Sequence, residues 1–168
     1  TASADNSNAY GIKIESDSSV GTLTNSGLIS ASAVSEAYGI DIHTSTVTTL
    51  NNSGTISVNA TATVGSSSSM TGIHVFDASS VNNLTNSGLI SLSISGVVET
   101  VLQKAGAINV SDASTVTTLT NSGTISLVSE ATHSTGVLSG INVQDTSAHI
   151  VTLNNLGIIS VTAGTSAN

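Results

Sequence analysis

The sequence predicts an all-β fold, a right-handed parallel β-helix (a β-solenoid) of about five coils with three short strands per coil. Three observations carry this expectation. A nonapeptide recurs five times, as "TLTNSGLIS" from Thr22, "TLNNSGTIS" from Thr49, "NLTNSGLIS" from Asn83, "TLTNSGTIS" from Thr118 and "TLNNLGIIS" from Thr152. Its glycines, Gly27, Gly54, Gly88, Gly123 and Gly157, are 27, 34, 35 and 34 residues apart, a period typical of solenoids and arrays. Apolar residues alternate with period two in runs of about four to seven residues, which is strand length, and no stretch carries a 3.6 period with caps.

Each unit begins with a pair of inward apolar residues: "GIKI" at Gly11, "GIDI" at Gly39, "GIHV" at Gly72, "AINV" at Ala107 and "GINV" at Gly140. A short polar link leads to V-x-x-L-x-N, and the corner N-x-G leads to x-I-x-[AVL]. Stacked unit on unit, these positions become five columns. They are Ile12, Ile40, Ile73, Ile108 and Ile141; Ile14, Ile42, Val75, Val110 and Val143; Val20, Val47, Val81, Val116 and Ile150; Leu23, Leu50, Leu84, Leu119 and Leu153; and Ile29, Ile56, Ile90, Ile125 and Ile159. One such unit cannot bury its apolar face alone, so neighbours must stack into one core. The chain reads as a single domain, 1–168, with repeats near 10–37, 38–70, 71–104, 105–138 and 139–168.

Asn25, Asn52, Asn86, Asn121 and Asn155 share the phase of the inward Leu and Ile. A single buried amide left unpaired costs about 1–3 kcal/mol. Stacked about 4.8 Å apart, each amide can bond the next, and the ladder satisfies itself. The glycine two residues on is expected to supply a positive φ at the corner.

Composition excludes several classes. The 168 residues include no Cys, Pro or Trp, and Lys13 and Lys104 are the only basic side chains besides four His. Aromatic residues make up 2% and charged residues 7%, yet the β-branched content and positive mean hydropathy argue against disorder. A net charge of −8 repels phosphate backbones and anionic lipids, so nucleic acid is not an expected partner. No apolar run approaches the roughly 18 to 20 residues of a spanning helix, so no membrane insertion by this segment is expected. The absence of Cys fits secretion without disulfides. A start at Thr1 with no leader pattern reads as a processed chain or an excised segment.

The repeats ending in L-x-N-x-G-x-I, and especially "NSGTI" at Asn52 to Ile56 and Asn121 to Ile125, resemble passenger regions of bacterial type V autotransporters. The resemblance runs from Gly11 to Val161. It implies a right-handed β-helix exported to the extracellular surface of a Gram-negative bacterium, with roles in adhesion, autoaggregation or surface coating, and a cell-surface receptor or glycan as partner. The C-terminal membrane barrel of that family has no counterpart here.

Candidate chemistry is sparse. Enzymes on β-helices that cut acidic polysaccharides need clustered carboxylates and usually Arg or Lys to hold the sugar. This chain has no Arg, and its two lysines stand apart. No G-x-S-x-G is present, and His43, His74, His133 and His149 fall at unrelated phases. The expectation is therefore no enzyme and no cofactor. His74 is expected to face solvent in a column with Lys13, Asp41, Asn109 and Asn142, with Lys13 and Asp41 forming an exposed ion pair worth under about 1 kcal/mol.

Asp77, Asp112 and Asp145 each fall two residues after the Val of the first strand, so they should align at one corner. Such a column could bind calcium, or could simply cap turns as Asx motifs, with Ser16 and Thr44 in the same place. The outward pairs Thr22/Thr24, Thr49/Asn51, Asn83/Thr85, Thr118/Thr120 and Thr152/Asn154 resemble an ice-binding Thr ladder, although the Asn positions roughen the array and ordinary β-branched strand surface is the simpler explanation. The longest insert, Ser93 to Gly106, carries Val97, Val98, Val101 and Leu102 and suggests an extra strand or short helix. Short polar ends leave the strand edges open to head-to-tail self-association. The combined reading is a non-enzymatic structural protein, an adhesin segment or self-assembling surface fibre. The alternatives are ice binding and polysaccharide binding or processing.

Overall fold

A computed structural model describes residues 1–4, 8–34, 36–62, 69–96, 104–130 and 137–164. Its regular structure is strand throughout, and no described helix is long and apolar enough to cross a membrane. In chain order the strands are β1 (Ala2–Ala4), β2 (Ala9–Ile14), β3 (Ser19–Asn25), β4 (Leu28–Ala33), β5 (Ala37–His43), β6 (Thr46–Asn52), β7 (Thr55–Ala62) and β8 (Ser69–Phe76). They continue with β9 (Ser80–Asn86), β10 (Leu89–Gly96), β11 (Lys104–Val110), β12 (Thr115–Asn121), β13 (Thr124–Ser129), β14 (Leu138–Val143), β15 (His149–Asn155) and β16 (Ile158–Ala163).

Every pairing is parallel, and strands pair three apart in sequence order, so the chain coils as a parallel β-solenoid with three sheets. The first sheet is β2-β5-β8-β11-β14, the second β3-β6-β9-β12-β15, and the third β1-β4-β7-β10-β13-β16. The coil count therefore departs from the five coils expected. β1 gives the third sheet a sixth strand, because the small alternating residues Ala2, Ser3 and Ala4 pair with Ala31, Ser32 and Ala33. The insert is described only at its edges: β10 reaches Gly96 and β11 opens at Lys104. Val97, Val98, Val101 and Leu102 lie outside the described residues.

All five apolar columns form in register. Ile73 stands beside Ile40 and Ile108, Val81 beside Val47 and Val116, Leu84 beside Leu50 and Leu119, and Ile90 beside Ile56 and Ile125. Together they fill one interior cluster, against which Ile141 and Ile150 of the last coil pack while Val143, Leu153 and Ile159 remain exposed. A second cluster joins the third sheet to the start of the first, with Val58, Leu92, Leu127 and Ala31 packed against Ala37, Met70 and Ala105. Each fully buried Ile or Leu contributes about 1.5–3 kcal/mol over exposure. Parallel in-register stacking applies that gain to the same position of every coil, and so it fixes the register.

The N-x-G corner works differently from the expectation. None of Gly27, Gly54, Gly88, Gly123 or Gly157 has a positive φ; among the described glycines only Gly96 does, at 99°. The need for glycine is close approach instead. A Cβ at Gly54, Gly88, Gly123 or Gly157 would sit 2.0–2.1 Å from the carbonyl oxygen of the preceding glycine in the column. Positive φ lies at the opposite corner, between the first and second sheets, at Ser16, Asp17, Thr44, Asp77, Ala78, Asp112, Ala113 and Asp145.

Candidate functional site

Four features could serve as sites: the outer face of the first sheet, the left-handed corner, the polar ladders, and the outer face of the second sheet with the stack ends.

On the first sheet, β2, β5, β8 and β11 align Lys13, Asp41, His74 and Asn109, with Asn142 on β14, in one outward column. The column forms, but it is not a solvent-facing row. His74 is 8% exposed and Asp41 5%, and Asn109 is also buried. The expected ion pair is replaced by two other contacts. Lys13 Nζ reaches Glu15 Oε2 at 2.5 Å along its own strand, while Asp41 Oδ1 accepts His74 Nδ1 from the next coil at 2.9 Å. A long lysine arm can reach a carboxylate two residues on, and the imidazole of His74 has no such freedom, so His74 takes Asp41. The Lys13–Glu15 contact holds the lysine above its ordinary pKa and the glutamate below its own.

Rings crowd the same face. Tyr10 stacks on Tyr38 at 5.2 Å, Tyr38 on His74 at 5.3 Å, and His74 on Phe76 at 5.1 Å, with His43 tilted against Phe76 at 5.0 Å. Tyr10 and Tyr38 are register partners, as are His43 and Phe76. Such stacks add about 0.5–1.5 kcal/mol beyond burial. Burial of the Tyr38 phenol pushes its pKa up, partly opposed by a hydrogen bond with Ser69. Tyr10, Tyr38 and Phe76 include every Tyr and Phe of the chain, so this is its one aromatic face. Sequence reasoning missed it. The signal was present in the Ala-Tyr-Gly-Ile repeat at Ala9 and Ala37, which places two tyrosines in one column.

At the left-handed corner the three aspartates fall in the predicted column, and Ser16 and Thr44 share its conformation. Asp tolerates left-handed φ better than most residues. The carboxylates of Asp77 and Asp145 are engaged separately. Asp77 Oδ2 lies 3.0 Å from His43 Nε2, and Asp145 Oδ2 accepts the Asp112 N–H at 3.1 Å. Among the described residues no three His, Asp or Glu side chains group as metal ligands. The geometry is that of turn residues bonded across coils. His133 lies outside the described residues, and His149 opens β15 on the second sheet.

The asparagine ladder is complete in hydrogen bonds. Asn25 Nδ2 donates to Asn52 Oδ1 at 2.7 Å, Asn52 to Asn86 at 2.7 Å, Asn86 to Asn121 at 2.8 Å and Asn121 to Asn155 at 2.8 Å. Each donor amide also reaches the carbonyl of Thr55, Leu89, Thr124 or Ile158 in the following coil at 3.1–3.2 Å. A second ladder was not foreseen. Ser45, Ser79 and Ser114 are buried, and their hydroxyls accept the N–H groups of Ser18, Ser45 and Ser79, each at 3.1 Å. Its sequence mark is the serine two residues before the Val column, in S-[ST]-V at Ser18, Ser45, Ser79 and Ser114.

On the second sheet the Thr/Asn pairs align across all five strands. Thr22, Thr49, Asn83, Thr118 and Thr152 form one outward column, and Thr24, Asn51, Thr85, Thr120 and Asn154 the other. At the C-terminal end of the stack β14, β15 and β16 are sheet edges. Leu153 there is 49% exposed and Val161 44%, while Leu84 and Leu92 in the same columns are fully buried.

These features define a parallel β-solenoid stabilised by internal polar ladders. Comparison with protein families, curated proteins and solved structures gives no match to the chain.

Proposed function

We propose that the chain is a non-enzymatic extracellular scaffold, a right-handed solenoid of the autotransporter-passenger type that extends by stacking end to end as a surface fibre or adhesin stem. The observation that supports this is that, among the described residues, no strand pairs with the outer edges of β14, β15 and β16. These edges and the apolar columns beside them continue those that are sealed one coil earlier, and open parallel edges recruit further strands. A head-to-tail contact that does not close gives a filament. Negative-stain electron microscopy over a concentration series tests it. Filaments whose axis carries the roughly 4.8 Å strand spacing are expected; short rods at every concentration would rule out self-stacking.

A second reading rests on the second sheet. Its ranked Thr/Asn columns form a regular hydroxyl and amide array that fits ice binding. Thermal hysteresis that falls on replacing Thr85 and Thr118 with bulky residues would favour it.

A further inference from the structure

We infer that the corner joining β5 to β6 is a binding site for a neutral saccharide unit, seated in a notch that one missing residue opens between the corners on either side. The notch lies inside the stack, so the site stands whether or not copies join end to end.

The corners between the first and second sheets follow one plan. Five residues separate the last inward residue of the first sheet from the Val column at 15–19, 76–80 and 111–115. Two consecutive residues in each hold left-handed φ: Ser16 and Asp17, Asp77 and Ala78, Asp112 and Ala113. The corner between β5 and β6 has four residues, 43–46, and a single left-handed one, Thr44 at φ 50°. Its neighbours do not close over the shortfall. A cavity of about 360 Å³ remains, bounded by Asp17, Ser19, Thr44, Thr46 and Ala78. That is near the lower end of the ~300–1,000 Å³ of small-molecule clefts.

The missing residue also leaves an acceptor without its donor. Where the plan is followed, the second left-handed residue donates its N–H to the first left-handed residue of the next corner. Asp17 reaches the Thr44 carbonyl at 2.9 Å, and Ala78 the Asp112 carbonyl at 2.7 Å. Thr44 is followed by Ser45, whose N–H turns inward to the Ser79 hydroxyl at 3.1 Å. Among the described residues the Asp77 carbonyl therefore accepts no hydrogen bond.

The groups around this space define what fits it. Glu15 is held by Lys13 and Asp77 by His43, whereas the Asp17 carboxylate has no partner among the described residues. Thr46 Oγ1 accepts the Ser80 hydroxyl at 3.2 Å, which leaves its own hydrogen to donate. No cation lines the notch. The carboxylates along this corner repel an anion, and an apolar ligand would leave the Asp77 carbonyl unpaired. A sugar ring meets both conditions, with hydroxyls for the Asp77 carbonyl, Asp17 and Thr44 and a C–H face for the Ala78 methyl. Thr44 is β-branched in the left-handed region, a strained choice of the kind that gathers at ligand sites.

The test is an amide chemical-shift titration of the full chain with the methyl glycosides of glucose, galactose and N-acetylglucosamine. At least one is expected to shift Asp17, Thr44, Ser45 and Ala78 with a millimolar Kd. An alanine inserted after Thr44 restores the regular corner and should abolish those shifts while melting at or above wild type. Asp17→Asn, which keeps a residue at ease with left-handed φ, should weaken binding at least fivefold with melting unchanged. If the insertion does not fold, D17N decides alone. No shift with any of the three glycosides, or binding by D17N equal to wild type, would overturn the site. So would equal binding by a folded insertion variant. Methylammonium chloride is the control for charge: shifts of the same amides with it and none with the glycosides would make the notch a cation site and overturn the saccharide.

Discussion

Asn86 shows what a single residue does in a stacked fold. Its side chain is fully buried, accepts the Asn52 amide and donates to Asn121 and to the Thr124 carbonyl. Replacing it with Ala leaves the Asn52 amide with only its backbone partner and removes both outgoing bonds. Asn86→Ala is expected to cost about 2–3 kcal/mol, seen as a lower urea midpoint at unchanged slope. A loss under about 0.5 kcal/mol would mean that water replaces the ladder. Thr44 has the opposite sign. It holds φ 50°, a conformation that a β-branched residue adopts only under strain. Its coil reaches the Val column one residue sooner than its neighbours, since Ile42 to Val47 is shorter than Ile14 to Val20. Thr44→Asn should stabilise the chain by about 1 kcal/mol; a destabilised variant would show that the hydroxyl matters more than the strain.

At the scale of elements, strand position in the stack decides how much a core side chain contributes. Leu84 on β9 and Leu153 on β15 belong to one column, yet only Leu84 is enclosed on both sides. Leu84→Ala should cost about 3–5 kcal/mol, and Leu153→Ala less than half of that in the unassembled chain. Equal losses in denaturant unfolding would mean that the last coil is covered in solution. The first sheet adds a pH dependence. Burial raises the Tyr38 pKa in the folded state, so the folded chain keeps a proton that the unfolded chain releases above about pH 10. The stability that Tyr38 contributes is present below pH 10 and is lost as pH rises beyond it. Tyr38→Phe should flatten the alkaline fall in melting temperature, and an unchanged fall would place its origin elsewhere.

The whole molecule behaves as a one-dimensional stack, in which stability is the sum of coils and the contacts between neighbours. Amide exchange should follow that order. The edge strands β14, β15 and β16 should exchange fastest, and β8, β9 and β10, enclosed on both sides, slowest. In assembled material the protection of β15 should rise toward that of β12. Uniform protection in the dilute chain would mean a single cooperative unit in place of a fraying end.

The columns were legible in the sequence because a parallel solenoid writes each core position once per coil, so period and phase are enough to place Leu23 beside Leu50 or Asn25 beside Asn52. The same logic put Lys13, Asp41 and His74 in one file. What it could not supply was which neighbour each would choose, since Lys13 can reach Glu15 and Asp41 can reach His74 only once side-chain lengths and directions are fixed in space. The role of the glycine corner was hidden for a similar reason. Glycine can mark positive φ or a close approach, and only the 2.0–2.1 Å that would separate a Cβ from the preceding coil's carbonyl distinguishes them. The sequence by itself determined the repeat, the inward columns and the amide ladder, because these depend on periodicity. The tertiary structure decided that the tyrosine and serine columns are buried and bonded and that β1 adds a sixth strand to the third sheet, because periodicity gives which residues align and only packing gives which way they face and what they touch.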